Sequence, residues 1–399
     1  MTVVQINTVY NKGSTGKIAR QIQDQCMAVG IKNIVAYRYN EGGNGENTYC
    51  ISTWLDCHAH NRIARYTHRA GFYSKIRTAL FLHYLDKVRP DIIHLHNLHG
   101  SYINIPILFK YIKRHQIKVI WTFHDCWPFT GYCPYYLIYK CEEWRNGCQR
   151  CLCENSLFNY HSAKRNLYVK MKLTKGLDLT VVTPSRWLAE IVKQSFYSKY
   201  NVLSISNGID TEVFRPRESD FRKKYGISED CFVLLGVASV WEERKGLKEF
   251  NELAKRLDSR KYQIVLVGTD DTADRQLQSN IISIHRTENQ IQLAEIYTAA
   301  DLFVNPTKDE VLGMVNIEAN ACGTPVVTYA SGGSPECIDE KSGIVVACDD
   351  IDAMEKTITQ IYDTRPFSKE DCIACASRFD MHKKYREYID LYQSIADQR

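Results

Sequence analysis

Two carboxylates, Glu310 and Glu318, lie either side of a glycine turn in the run KDEVLGMVNIEANACGTPVVTYASGGSPE at residues 308–336. A turn that opens a helix leaves backbone N–H groups without intrahelical partners. Those expected at Gly313, Met314 and Val315 are positioned to hold phosphate oxygens. Glu318, one to two turns into that helix, is placed to accept hydrogen bonds from vicinal hydroxyls such as those of a ribose. The same pattern also reads as an ordinary helix with Val315, Ile317 and Ala321 buried and the glutamates solvated, but that leaves Ser331-Gly332-Gly333-Ser334 without a purpose.

Other residue groups have chemistry of their own. Arg244-Lys245-Gly246 puts two cations near a helix start, where they neutralise a diphosphate and the charge that grows on it as a leaving group departs. His124 and Asp125 end an apolar strand at 119–123, and the carboxyl edge of an open α/β sheet is where ligands bind. His94, His96 and His99 form a rival polar group at another strand end. Gly13 and Gly16 permit a tight turn into a helix expected to begin near Gly16, whose positive end suits an anion. The loop lacks the spacing and GKS or GKT ending of an ATPase P-loop. His285 and Arg286 follow a strand at 281–284. Cys133, Cys141, Cys148 and Cys151, with Cys126 and Cys153 nearby, suit a tetrahedral zinc held by short loops, although the seven residues between the first pair exceed a zinc-knuckle spacing. Free buried thiols and disulfides are the competing readings.

The elements that must position these groups alternate strand and helix, as in doubly wound sheets. In the first half, strands are expected at 3–7, 34–39, 91–96, 119–123 and 179–183, with helices at 16–30, 105–115 and 186–199. A second sheet is expected from 233–238, 264–267, 281–284, 302–304 and 325–329, and a last helix at 381–393 has Tyr385, Ile389 and Tyr392 at helical spacing. At 399 residues the chain is long enough for two cores. The divisions expected are 1–205, with the cysteine-rich insert at 126–153, then 206–378 and a terminal helix at 379–399.

Composition, 44% hydrophobic and 24% charged, is that of a folded globular protein. The start, MTVVQINTVY, reads as a strand rather than a signal peptide, and no run approaches the ~20 apolar residues of a membrane span. With fifteen cysteines, several in apolar patterns, a cytoplasmic location is expected. The net charge of +5 conceals an asymmetry: residues 1–205 hold 27 Lys and Arg against 12 Asp and Glu, the remainder 24 against 34. A first half near +15 points to a phosphorylated substrate or an anionic membrane surface. No nucleic-acid-binding motif accompanies that charge, so nucleic acid is not an expected partner.

The run from Lys308 to Glu336 resembles the donor-binding signature of the retaining GT-B glycosyltransferases, the family of sucrose synthase-like and bacterial exopolysaccharide, lipopolysaccharide and O-antigen enzymes. The resemblance implies an α/β GT-B fold, two Rossmann-like domains facing across a cleft with a C-terminal helix crossing back to the first. It implies transfer of a sugar from a nucleoside diphosphate sugar, UDP- or GDP-linked, to a hydroxyl with retention at the anomeric carbon. It further implies that Glu310 contacts hydroxyls of the transferred sugar, Glu318 the ribose, Lys245 the diphosphate, His285 and Arg286 the base edge, His124 the sugar, and Gly16 the donor phosphates and acceptor. The family's usual arginine five or six residues before the lysine is replaced here by Val240 and Ser239, so Arg244 is expected to supply that charge. No catalytic metal is implied.

The acceptor implied is a lipid-linked glycan, such as a polyprenyl-diphosphate sugar, at the inner face of the plasma membrane. The basic and aromatic segment at 55–85, with Arg62, Arg65, Arg69, Lys75 and Arg77 among Ile63, Tyr66, Phe72, Tyr73, Ile76 and Phe81, suits a helix pair lying at the headgroup level. Buried Ile63, Tyr66 and Ile76 would instead make it ordinary packing. A GT-B sugar-nucleotide epimerase and a non-enzymatic sugar-nucleotide-binding protein are the alternatives from other classes.

Overall fold

In a computed structural model of the chain, residues 1–39, 47–149 and 160–397 are described. The chain divides into two compact units, one formed by Met1–Ser206 with Lys384–Arg399, the other by Asn207–Lys383.

The first unit is built on a parallel sheet of seven strands. They are β1 (Thr2–Ile6), β2 (Lys32–Tyr37), β3 (Thr48–Cys50), β4 (Ile92–Leu95), β5 (Lys118–Thr122), β6 (Leu179–Thr183) and β7 (Asn201–Ser204), in the order β3-β2-β1-β4-β5-β6-β7. The order reverses between β1 and β4, and His96 follows β4 at that point. Strands covered on both faces read as nearly continuous apolar runs, as Ile92, Ile93 and Leu95 do. Gln5 and His94 break the rule while wholly buried, so they must be hydrogen-bonded internally.

Local chemistry sets the helix ends. Asn104 caps Ile105–His115 by accepting from the Ile107 N–H at 3.1 Å, with Pro106 in the first turn. The helix expected at 186–199 runs only over Arg186–Lys193. There the Ser195 hydroxyl donates to the Val192 carbonyl at 2.6 Å and the Ser195 N–H bonds the same oxygen, tightening the turn and ending the helix. The helix expected near Gly16 starts one turn earlier, at Gly13. The C-terminal helix, Met381–Asp397, joins the first unit: the Tyr392 hydroxyl is 2.6 Å from His94 Nδ1, and that of Tyr388 is 3.1 Å from Thr122 Oγ1.

The second unit holds a six-stranded parallel sheet: β8 (Phe232–Val237), β9 (Tyr262–Val267), β10 (Ile281–Ile284), β11 (Leu302–Asn305), β12 (Val326–Tyr329) and β13 (Gly343–Val346), ordered β10-β9-β8-β11-β12-β13. Alternation along β8 divides its residues between two cores. Val233 and Leu235 pack with Tyr297, Phe303 and Ile317, while Phe232 and Leu234 pack with Phe250, Leu253 and Ile358. Helices therefore cover both faces, and the strand order reverses between β8 and β11.

Candidate functional site

The carboxyl ends of β8 and β11 are adjacent, and the loops leaving them bring together the residues separated in sequence. After β8 a short 3-10 turn, Glu243–Lys245, ends at Gly246, whose φ of +82° and contact with Pro306 exclude a larger residue: a Cβ there would lie 2.7 Å from the Pro306 carbonyl oxygen. That approach sets the 244–246 segment against the loop after β11. The Arg244 carbonyl accepts from the Lys308 N–H at 2.9 Å, and Arg244 Nη1 donates to the Asp309 carbonyl at 3.0 Å. Lys245 Nζ lies 2.5 Å from Glu310 Oε2, both side chains less than a fifth exposed. Arg244, Lys245 and Glu310 thus form one cluster. Arg244 is further oriented by Glu242, at 3.0 Å.

Glu310 is held from behind by the serine-glycine segment. The Gly333 N–H donates to the Glu310 carbonyl at 2.9 Å, and Gly332, with φ +57°, passes so close that a Cβ would stand 1.8 Å from that oxygen. Only glycine fits there, which gives Ser331-Gly332-Gly333-Ser334 its purpose. The helix that follows is Met314–Ala321. Glu318 on it accepts from the hydroxyl of buried Tyr297 at 3.1 Å. Burial first, and then the neighbouring Glu318 carboxylate, push the Tyr297 phenol well above its usual range, so it remains a donor.

Of the three N–H groups expected to be free, Met314 donates to the Leu312 carbonyl at 2.9 Å, and Gly313 donates toward buried Cys337. The tight turn at 312–314 therefore consumes donors that a plain helix start would leave open, and Val315 is the remaining one of the set. His285 is exposed and bonded through Nε2 to Asp274 Oδ2 at 2.6 Å, a contact that raises its pKa. With Asp271 these two form the group of converging ligand atoms found among the described residues.

In the first unit, His124 lies two residues past β5 and is half-buried, its Nε2 2.9 Å from His96 Nδ1. Asp125 is buried, accepting from the Trp127 N–H at 2.9 Å and lying 3.4 Å from His99 Nε2. His94 and His96 are buried inside the sheet, so they face neighbouring side chains rather than a ligand. Gly16 lies within the first helix and against the loop before it, its carbonyl accepting from the Asn11 N–H at 3.0 Å.

Within the cysteine-rich insert, Cys133, Cys141 and Cys148 are buried and Cys151 lies outside the described residues. Cys133 is disulfide-bonded, whereas Cys141 and Cys148 keep their thiols. In that covalent state Cys133 offers no thiolate, so the four-thiolate zinc set requires it reduced. The Gly131 N–H donates to the Cys148 sulfur at 3.2 Å, and Lys170 is buried nearby. Burial lowers the Lys170 pKa to about 7 against opposing influences from Cys148 and Asp125.

Sequence reasoning missed the supporting residues Tyr297 and Gln5, and it named His96 only within a rival polar group with His94 and His99. A polar residue inside an apolar strand run was the available signal for Gln5. Tyr297 gave none, since a tyrosine on a helix reads as packing.

Residues 217–379 match the family described as Glycosyl transferases group 1, and residues 34–213 match Glycosyltransferase Family 4. The Escherichia coli K12 protein WcaC, named for glycosyl transfer in colanic acid biosynthesis, is 21% identical over 99% of this chain and 100% of its own. Sucrose-phosphate synthase from Thermosynechococcus elongatus superposes with a TM-score of 0.75 at 17% identity, covering 100% of both chains. Anabaena HepE in complex with UDP-glucose does so at 0.70 and 14% identity, covering 99% of this chain and 100% of its own. The chain is a glycosyltransferase of the GT-B fold.

Proposed function

We propose that the chain moves a sugar from a UDP- or GDP-sugar to a hydroxyl of a lipid-linked or polysaccharide-precursor glycan, with retention, in bacterial surface polysaccharide synthesis. The observation that carries this reading is the Lys245–Glu310 pair beside Arg244 at the reversal point of the second sheet, with Glu318 on the next helix. Lys245 and Arg244 bind the diphosphate, Glu318 the ribose, Glu310 hydroxyls of the transferred sugar, and His285 the base edge. His124 meets the sugar, and Gly16, inside the first helix, the donor phosphates and acceptor.

Bond changes follow from those roles. The bond from the anomeric carbon to the diphosphate oxygen breaks as the acceptor oxygen attacks on the same face. The acceptor hydroxyl proton passes to a leaving diphosphate oxygen. The two cations stabilise the charge on that diphosphate, a task for which preorganised charges in a site poor in water are effective. The colanic acid name of WcaC and the UDP-glucose bound to HepE support the polysaccharide and nucleotide-sugar parts of the proposal.

The proposed location is the inner face of an anionic bilayer. Ile63, Tyr66 and Ile76 are exposed rather than buried, as are Trp54, Leu55 and Leu80 on the same helices, Trp54–Thr67 and Lys75–Val88. Arg62, Arg65 and Lys75 stand exposed among them. Among the described residues no helix is long and apolar enough to cross a membrane.

A thermal-shift screen of nucleoside diphosphates tests the donor assignment. One diphosphate should raise the melting temperature while the others move it little. Proton NMR of the product made with the matching sugar donor should show the donor's anomeric configuration. No shift with any nucleotide, or an inverted product, would overturn the reading. Conversion of the donor sugar without an acceptor would favour an epimerase.

A further inference from the structure

A chain of hydrogen bonds in the first unit runs from the middle of the sheet to His124, and its polarity can be read from one end to the other. At the inner end, Gln5 Nε2 donates to the backbone carbonyl of Ala19 at 2.9 Å and to Asn33 Oδ1 at 2.8 Å. A carbonyl oxygen can only accept, so the orientation of the Gln5 amide is set. Its other atom, Oε1, lies 2.9 Å from His96 Nε2 and can only accept, so His96 Nε2 carries a hydrogen.

His96 is 1% exposed and lies between two other imidazoles, with ring centroids 4.1 Å from His94 and 5.2 Å from His124. Burial first, then those two neighbours, hold its pKa well below the usual histidine range, and the ring is neutral. A neutral imidazole protonated on Nε2 has its lone pair on Nδ1. That atom is 2.9 Å from His124 Nε2, which must therefore be the donor. His94 stands outside this chain, since its nitrogens are engaged by the Tyr392 hydroxyl and Thr122 Oγ1.

We infer that Gln5 and His96 are positioning residues that hold His124 with its proton on Nε2, so that His124 presents a bare Nδ1 lone pair to a ligand hydroxyl. The identity of the ligand rests on the proposed sugar transfer, whereas the tautomer stands on the hydrogen-bond chain alone. Burial, and then the nearby His99, lower the His124 pKa to about 4, which keeps the ring neutral in ordinary buffers. The titratable groups facing it are His96 and His99, with Asp125 beside His99. No described residue hydrogen-bonds His124 Nδ1.

The consequence is selectivity. A ring nitrogen that only accepts is met favourably by a hydroxyl and unfavourably by a phosphate or carboxylate oxygen, whose lone pairs would oppose it. His124 thus reads a hydroxyl on the sugar or acceptor, leaving anionic groups to Lys245 and Arg244. The same neutral, accepting ring would be lost if His96 reversed its own tautomer, so selectivity at the strand end is set inside the sheet.

Long-range proton–nitrogen NMR of the full chain labelled with nitrogen-15 at histidine reads the tautomers directly, with His124→Asn and His96→Gln spectra assigning the signals. Between about pH 5 and 8, above the His124 pKa of about 4, both His96 and His124 should show hydrogen on Nε2 and a bare Nδ1. Hydrogen on His124 Nδ1, or a doubly protonated His96 in that range, would overturn the inference. His96→Phe removes the acceptor, and His124 should become a mixture of tautomers. His96→Gln offers a carbonyl to His124 and an amide N–H to Gln5, so it should restore the single form. A folded His96→Phe protein with unchanged His124 would also overturn it. Should that variant fail to fold, the wild-type spectrum and His96→Gln still decide. In transfer assays His96→Phe should lower kcat/KM roughly 3- to 10-fold, the worth of one hydrogen bond, and His96→Gln should recover most of it. Absence of nucleotide binding would sink the sugar-transfer reading while leaving these spectra unchanged.

Discussion

Glu318 is the residue whose role can be tested most sharply, because the structure separates two consequences of losing it. Its carboxylate accepts from the hydroxyl of Tyr297, which is fully buried. Glu318→Ala deprives that hydroxyl of its acceptor, and an unsatisfied buried donor costs about 1–3 kcal/mol of folding stability. The same substitution removes a charged acceptor from the proposed ribose site. Hydrogen bonds to charged groups contribute about 1.5–3 kcal/mol, which corresponds to a loss of roughly 10- to 150-fold in nucleotide affinity. Glu318→Gln keeps an amide oxygen for Tyr297 but no charge. It should therefore fold nearly as stably as the natural protein while binding nucleotide more weakly.

A nucleotide without the ribose hydroxyls isolates the contact. Calorimetric titration with the stabilising nucleoside diphosphate and its 2′,3′-dideoxy form gives a preference for the ribo form, and comparison with Glu318→Ala gives the coupling between carboxylate and hydroxyls. The preference should be large in the natural protein and nearly absent in the variant. Denaturant melts of the free proteins keep the folding term apart from binding. An unchanged ribo-to-dideoxy preference in Glu318→Ala would refute the ribose assignment, however much overall affinity fell.

Gly332→Ala should cost at least about 1 kcal/mol in stability and lower kcat by displacing Glu310, because its positive φ and its approach to the Glu310 carbonyl both exclude a Cβ; an unchanged melting temperature and kcat would contradict this. In reducing buffer, which frees Cys133, elemental analysis is expected to find about one zinc per chain and Cys148→Ala to lose it. A metal-free protein with full stability would assign these cysteines to packing alone. Sedimentation with anionic vesicles should fall with salt and drop roughly 100-fold when Arg62, Arg65 and Lys75 are replaced together, at about 1 kcal/mol for each basic residue near the surface. Equal binding to neutral vesicles would remove the electrostatic basis of the membrane proposal.

How far such features can be read from sequence depends on the distance over which the deciding interaction acts. The loop geometry at 308–336 was legible because its determinants are local: the Glu310 carbonyl, the Gly332 turn and the helix bearing Glu318 lie within one short stretch. The long buried strands were legible for a similar reason, since apolar continuity is written along each one. The short edge strands β3, β7 and β13 were not, because three or four partly exposed residues leave little periodicity to detect. The end of the helix at Lys193 turned on one hydroxyl bonding back to Val192, a competition that helix periodicity does not register.

Pairings across the sheet were the least legible, and they carry much of the chemistry. Lys245 meets Glu310 across 65 residues of chain, and the sequence alone suggested a role for each but not their contact. Gln5 and His96 are 91 residues apart, yet one amide orientation passes from them to the protonation of His124. In an apolar sheet each such polar side chain lowers stability unless its partners are complete, so completeness imposes direction: every donor must face an acceptor, and one backbone carbonyl settles the rest. The polar exceptions inside the strands are thereby the physical link from the core of the first unit to His124 at the carboxyl end of β5.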